Sequence, residues 1–174
     1  MAEPIVILDH NPLWPELYQA LHTRIDAALG SLAARIEHIG STAVPGLAAK
    51  PIIDIIVVLH THHDLVSAIE ALSGLGYRHE GDLGIKGREA FATPSGYSRH
   101  DHHLYVCTPD WRGYEDQIAF RDYLRAHSGT ARAYGRLKRA LAASHRDDRR
   151  AYSEAKSDFV NAVLRRARRE DPLS

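Results

Sequence analysis

The chain is almost without sulfur, with one cysteine, Cys107, and one methionine in 174 residues. A lone thiol excludes an internal disulfide framework and zinc sites built from cysteine alone, and it suits a reducing cytosol. Long apolar runs are also missing. Ile55-Ile56-Val57-Val58-Leu59 is strand-sized, far below the ~18 consecutive apolar residues of a membrane-spanning helix. The opening Met1-Ala2-Glu3-Pro4 has neither a basic region nor an apolar signal core, which points away from secretion and toward the cytoplasm. Net charge is absent as well, because 22 Lys+Arg balance 22 Asp+Glu, with 12 His besides.

What remains is an ordinary globular composition, 44% hydrophobic and 25% charged. It excludes collagen-like, low-complexity and largely disordered chains. At this length one domain is expected over residues 1–174, with enough core to stand without covalent staples. The neutral total conceals a split. Residues 1–112 hold 8 Lys+Arg against 13 Asp+Glu, whereas residues 113–174 hold 14 against 9. Such a split fits a nucleic-acid surface, an anion-binding end, or arginines that solvate amphipathic helices. The first of these is disfavoured: the chain is not basic overall and has no RNP-like aromatic motif or arginine–glycine segment.

Period and turn signals predict an α+β order. Leu13, Leu17, Leu21, Ile25 and Leu29 recur every four residues, with Asn11 and Pro12 ahead and Gly30 behind, and predict a helix over 12–29. A strand follows at 33–39, then a loop at 40–50 with one helical turn. The next strand, 52–59, opens after Pro51 and is apolar on both faces except at Asp54, as in the middle of a covered sheet. A helix at 63–75 precedes Gly76, and strands are expected at 77–80, 90–93 and 103–107. Helices at 113–126, 130–143 and 148–168 complete the chain. The expectation is a mixed β-sheet core over about 1–112 with an N-terminal helix, and a C-terminal helical bundle over about 113–174.

Asp54 carries the strongest chemical signal. A carboxylate in an apolar strand is costly to bury unless it is paired, hydrogen-bonded or bound to a cation. It is therefore either the local partner of a turn or an arginine, or a catalytic or metal-binding group facing a cleft. Gly40-Ser41-Thr42, directly after the first strand, can cradle phosphate oxygens with consecutive N–H groups, and Lys50 ends the same loop with a cation. The same residues also serve as a plain turn and an exposed lysine. His38 is a satisfied core histidine or a ligand. In the run Arg99-His100-Asp101-His102-His103-Leu104-Tyr105-Val106-Cys107, alternation puts Asp101, His103, Tyr105 and Cys107 on one strand face. Histidine with carboxylate can hold zinc, manganese or similar ions, although no HExxH or other spacing-specific zinc motif is present. Lys138 and Lys156 each fall inside an apolar helical stripe, four residues after Tyr134 and Tyr152. They either snorkel or aim ammonium groups at phosphate in a shared cleft, where Arg121 and Arg125 would join them.

The stretch Ile36-Glu37-His38-Ile39-Gly40-Ser41-Thr42-Ala43-Val44-Pro45-Gly46-Leu47-Ala48-Ala49-Lys50-Pro51-Ile52-Ile53-Asp54-Ile55 closely resembles the signature of the GrpB family. The segments His102-His103-Leu104-Tyr105-Val106, Phe120-Arg121-Asp122-Tyr123-Leu124-Arg125, 134–138 and 152–159 look like that family too, as do Asp9-His10-Asn11-Pro12 and Trp14-Pro15. The resemblance implies a nucleotidyltransferase-like fold of the DNA polymerase beta type. Those enzymes carry a Gly-Ser turn before a strand with an Asp-x-Asp pair and a third carboxylate on a neighbouring strand. Two divalent ions held there activate a hydroxyl and neutralise a triphosphate. On that pattern Gly40, Ser41 and Asp54 take the turn and the first aspartate. Ile56 stands at the second, and Asp101 or His103 lies on a plausible third strand. The implied ions are magnesium or manganese ahead of zinc. Asp54, His38, Asp101 and His103 are the candidate ligands, and Asp54 is the catalytic carboxylate. Fusion of some members to dephospho-CoA kinase associates the family with coenzyme A metabolism.

These residues support a nucleotidyltransferase-like protein that binds a nucleotide or other phosphorylated small molecule through Gly40, Ser41, Thr42, Lys50, Arg121, Lys138 and Lys156, with an unknown acceptor. If it is an enzyme, it is a metal-dependent nucleotidyltransferase. The alternative is a non-catalytic nucleotide- or partner-binding module. A histidine-rich metallohydrolase acting on phosphoesters is a third reading.

Overall fold

A computed structural model describes residues 4–94, 96 and 102–170. The chain clusters into two compact units that interleave along the sequence. A sheet unit takes 13–39 and 52–115, and a helical unit takes 4–12, 40–51 and the chain from 116 onward.

The sheet unit is built on β1 (Ala33–Ile39), β2 (Ile53–Leu59), β3 (Arg78–Gly81), β4 (Arg88–Ala92) and β5 (His102–Cys107). Their order is β1-β2-β5-β4-β3. The β2–β5 pair is parallel and the other pairs are antiparallel, so the sheet is mixed as expected. Every residue of β2 but Asp54 is buried, which is why its pattern reads as a continuous apolar run. Ile55, Ile56, Val57 and Leu59 have no exposed surface, and burial of each contributes roughly 1.5–3 kcal/mol.

Helix α1 (Trp14–Leu29) and α2 (Leu65–Gly74) belong to this unit. The helix expected from 12 begins at Trp14, with Leu13 rather than Asn11 at the cap position and Pro15 in the first turn. Proline there removes only an N–H that has no helical partner. Gly30 ends the helix at φ +52°. Leu13 and Leu17 are half exposed, and the helix is anchored in the core by Trp14, Ile25 and Leu29. Helix α2 is shorter than 63–75 because His62–Asp64 form a separate 3-10 turn, closed by a reciprocal Thr61–Asp64 capping box.

In the helical unit are α3 (Gly113–Ala126, from Asp116 on), α4 (Ser128–Ser144), α5 (Arg149–Ala155) and α6 (Ser157–Glu170). The single helix expected over 148–168 is two, broken at Lys156. Asp148 caps α5 by accepting from the Ala151 N–H at 2.9 Å. Val44 and Leu47 of the loop pack with Leu124, Ala131 and Tyr134. The N-terminal segment joins the unit through Ile5, packed with Ala142 and Tyr152, and through a Leu8–Ala49 bridge. Among the described residues no helix is long and apolar enough to cross a membrane.

Candidate functional site

The helical unit gathers lysines around two tyrosines and a glycine turn. Gly40 takes φ +72° and ψ −172°, a conformation essentially reserved for glycine. It starts a 3-10 turn at Ser41–Ala43. Two helices tether this turn. Arg125 donates from Nε to the Ala43 carbonyl at 2.9 Å, and Lys138 donates from Nζ to Ser41 Oγ at 2.7 Å. Lys138 is 3% exposed, so its charge is held by specific partners instead of bulk water.

The same Nζ lies 4.7 Å from the Tyr134 ring centroid. The Tyr152 ring receives two cations, Lys50 at 4.7 Å and Lys156 at 4.4 Å. Tyr134 stacks on Phe159 at 5.0 Å. Burial pushes the Tyr134 phenol well above its ordinary range, with the nearby Tyr152 adding to the effect. Burial likewise raises Tyr152 to about 12. Both rings therefore stay neutral at physiological pH and present π faces to the ammonium groups. The arrangement holds three lysines and a hydroxyl-bearing turn, the donors that phosphate oxygens take.

Arg121, expected to join the lysines, is buried and holds its neighbour in the chain. Its Nε and Nη2 donate to the two carboxylate oxygens of Asp122 at 2.7 and 3.1 Å. Thr42 is buried within the turn.

In the sheet unit, Asp54 and His103 face each other across the parallel β2–β5 ladder. His103 Nδ1 lies 2.8 Å from Asp54 Oδ1. An ionised carboxylate only accepts, so Nδ1 carries the proton, and in the neutral imidazole Nε2 is then the acceptor. The side chains are 29% and 40% exposed, so both are reachable from solution. Tyr105 follows on the same face, its ring centroid 6.1 Å from that of His103. Burial raises its phenol, and the Asp54 charge raises it further against the lowering pull of Arg88. The Arg88 guanidinium carbon sits 4.2 Å above the Tyr105 ring. Arg88 and Tyr105 went unrecognised as site residues in the sequence. Alternation already grouped Tyr105 with His103, but nothing local marks Arg88.

His38 does not join Asp54. Its register partner is Ile55, while that of Ile39 is Asp54, so His38 projects from the opposite sheet face. There it stacks on Tyr18 of α1, with ring centroids 4.6 Å apart. Asp101 lies outside the described residues. At the second aspartate position of the nucleotidyltransferase pattern, Ile56 is fully buried, and among the described residues no group of three His, Cys, Asp or Glu gathers to hold an ion. An isoleucine offers no ligand to a cation at that position.

A family model described as GrpB protein matches residues 4–166. Protein PA4798 of Pseudomonas aeruginosa is 39% identical over 94% of this chain and 67% of its own length. YqkA of Bacillus subtilis is 33% identical over 95% of this chain, which spans only 48% of that protein. A dephospho-CoA kinase of Mycolicibacterium paratuberculosis is 26% identical over 94% of this chain and 46% of its own length. Among solved structures, the conserved protein GrpB from Enterococcus faecalis superposes with a TM-score of 0.84 at 29% identity, covering 95% of this chain and 98% of that one. Cid1 in complex with the UTP analogue UMPNPP matches with a TM-score of 0.53 at 11% identity, over 76% of this chain and 40% of Cid1. The fold is thus nucleotidyltransferase-like.

Proposed function

Because the chain belongs to the GrpB family, with a nucleotidyltransferase-like fold, we propose that it binds the phosphate groups of a nucleotide or other phosphorylated small molecule in the helical unit, on Gly40, Ser41, Thr42, Lys50, Lys138 and Lys156. The observation that carries this reading is the buried Lys138 ammonium on Ser41 Oγ at 2.7 Å, in a turn that Gly40 opens at φ +72°. A phosphate oxygen is a stronger acceptor for Lys138 than a neutral hydroxyl. It would also draw on Lys50 and Lys156, which already flank one ring.

Two activities accord with this fold. One is a metal-dependent transferase, with magnesium or manganese as its ion, in which the sheet unit's Asp54 is the catalytic carboxylate and which is read separately from the phosphate cluster. In the other, the module binds a nucleotide or coenzyme without turnover. The buried Ile56 at the second aspartate position favours the second, and the dephospho-CoA kinase relative suggests a coenzyme A precursor as ligand. The buried thiol Cys107 accords with a reducing compartment, the cytoplasm.

Calorimetric titration with a panel of nucleoside triphosphates, dephospho-CoA and coenzyme A, with and without magnesium or manganese, tests the reading. Saturable binding of at least one is expected, weakened by Lys138→Met. Absence of binding to all of them at millimolar concentration overturns it.

A further inference from the structure

The sheet unit carries a second set of groups that the phosphate reading leaves unused. On one face, Asp54, His103, Tyr105 and Arg88 form a row along β5 and its neighbours. At one end, Asp54 fixes the His103 imidazole at 2.8 Å and leaves Nε2 as an acceptor. At the other, Arg88 lies over the Tyr105 ring with a buried Nε that has no hydrogen-bond partner among the described residues. Among the described residues no carboxylate is paired with it. A buried guanidinium N–H left unpaired bears the desolvation cost of a charged group, a cost that an anion placed on Arg88 would remove. Tyr105, between the two ends, makes no hydrogen bond among the described residues and supplies an O–H donor.

We infer that this row binds a small anionic alcohol, a molecule with a phosphate or carboxylate for Arg88 and a hydroxyl for His103. The hydroxyl donates its hydrogen bond to His103 Nε2 while Asp54 holds the Nδ1–H. The span limits the ligand. The Arg88–Tyr105 and Tyr105–His103 separations of 4.2 and 6.1 Å put the two ends within about 10 Å of each other, about the reach of three strand residues. A three-carbon phosphate such as glycerol 3-phosphate fits that span, whereas a long polyanion gains nothing from a single arginine.

The test uses glycerol 3-phosphate as the probe and ethyl phosphate as its hydroxyl-free counterpart, followed by amide and imidazole NMR shifts on the full chain. The site predicts saturable shifts at His103, Tyr105 and Arg88 that persist in Lys138→Met. Arg88→Gln weakens the probe ~10–100-fold, the range for losing a charged hydrogen bond, while Arg88→Lys weakens it less. His103→Gln brings glycerol 3-phosphate down to the affinity of ethyl phosphate. Dispersed spectra of the variants confirm that they fold. Loss of binding in Lys138→Met with no effect of Arg88→Gln moves the phosphate to the helical unit, overturning this inference while leaving the proposed function intact. Absence of shifts at tens of millimolar probe overturns it outright.

Discussion

The two units divide the chemistry of this chain by charge and by side-chain type. The sheet unit, residues 13–39 and 52–115, holds 7 Lys+Arg against 12 Asp+Glu and nine of the twelve histidines. The helical unit holds 15 Lys+Arg against 10 Asp+Glu. Each unit keeps its polar cluster in place by a different device. In the helical unit, ammonium groups rest on neutral aromatic faces and on a turn hydroxyl. In the sheet unit, a carboxylate orients an imidazole across a parallel ladder. A neutral total charge therefore describes neither half. The first arrangement gathers cations, the basis of the proposed phosphate site, and the second fixes the orientation of one imidazole.

The comparison breaks most visibly at Tyr152. Its side chain is 1% exposed and supports both Lys50 and Lys156. Tyr152→Ala should cost about 3–5 kcal/mol of stability, as truncations of large buried aromatics do, and abolish phosphate binding. Thermal melting together with calorimetry measures both losses. A narrower probe is Lys138→Met, which keeps the stem and removes the charge. Nucleotide affinity should fall ~10–100-fold, the value of a charge-assisted hydrogen bond, with little change in melting temperature.

Asp54→Ala acts on the other side of the comparison. The Asp54–His103 pair is partly exposed and screened by solvent, so stability should fall by only about 1 kcal/mol or less. The His103 imidazole loses its fixed tautomer, which nitrogen NMR reads directly, and metal-free phosphate binding should be unchanged. A loss of that binding equal to the Lys138→Met loss would erase the division of labour between the units.

The smallest effect concerns pH. Burial raises the Cys107 thiol from 9.0 to about 12 and the Tyr152 phenol from 10.0 to about 12. Both are acids whose neutral form is favoured in the folded chain. Their stabilisation is complete below the unfolded values and disappears as pH rises toward 12. Denaturant midpoints should therefore be flat through neutrality and decline above about pH 9, with the earliest part of the decline missing in Cys107→Ala. At pH 8 the native thiol should resist alkylation and react only on unfolding.

Much of this architecture is legible in the sequence because its signals are local. β1 ends where Gly40 follows its run, and β2 announces itself as an apolar run interrupted by one aspartate. Lys138 stands out by sitting in an apolar stripe, and it is indeed buried. What escapes is set by pairing between distant segments. Alternation tells that His38 and Ile39 point opposite ways, but only the register Ile39↔Asp54 says which of them shares a face with the aspartate. The helix break at Lys156 has no proline or glycine to announce it. The bidentate hold of Arg121 on Asp122, its neighbour in the chain, likewise needs side-chain conformations that the sequence does not state. The loop 40–51 follows a strand in sequence yet packs with the helices, since Val44 and Leu47 complete a core built by Leu124, Ala131 and Tyr134.

The most direct test of this account is an NMR map of nucleotide binding on the isotope-labelled chain, recorded without added metal. Saturable shifts centred on Gly40, Ser41, Thr42, Lys50, Lys138 and Lys156 are the predicted result. Shifts centred on Asp54 and His103 with the lysine cluster silent, or no shifts at millimolar nucleotide, would contradict it.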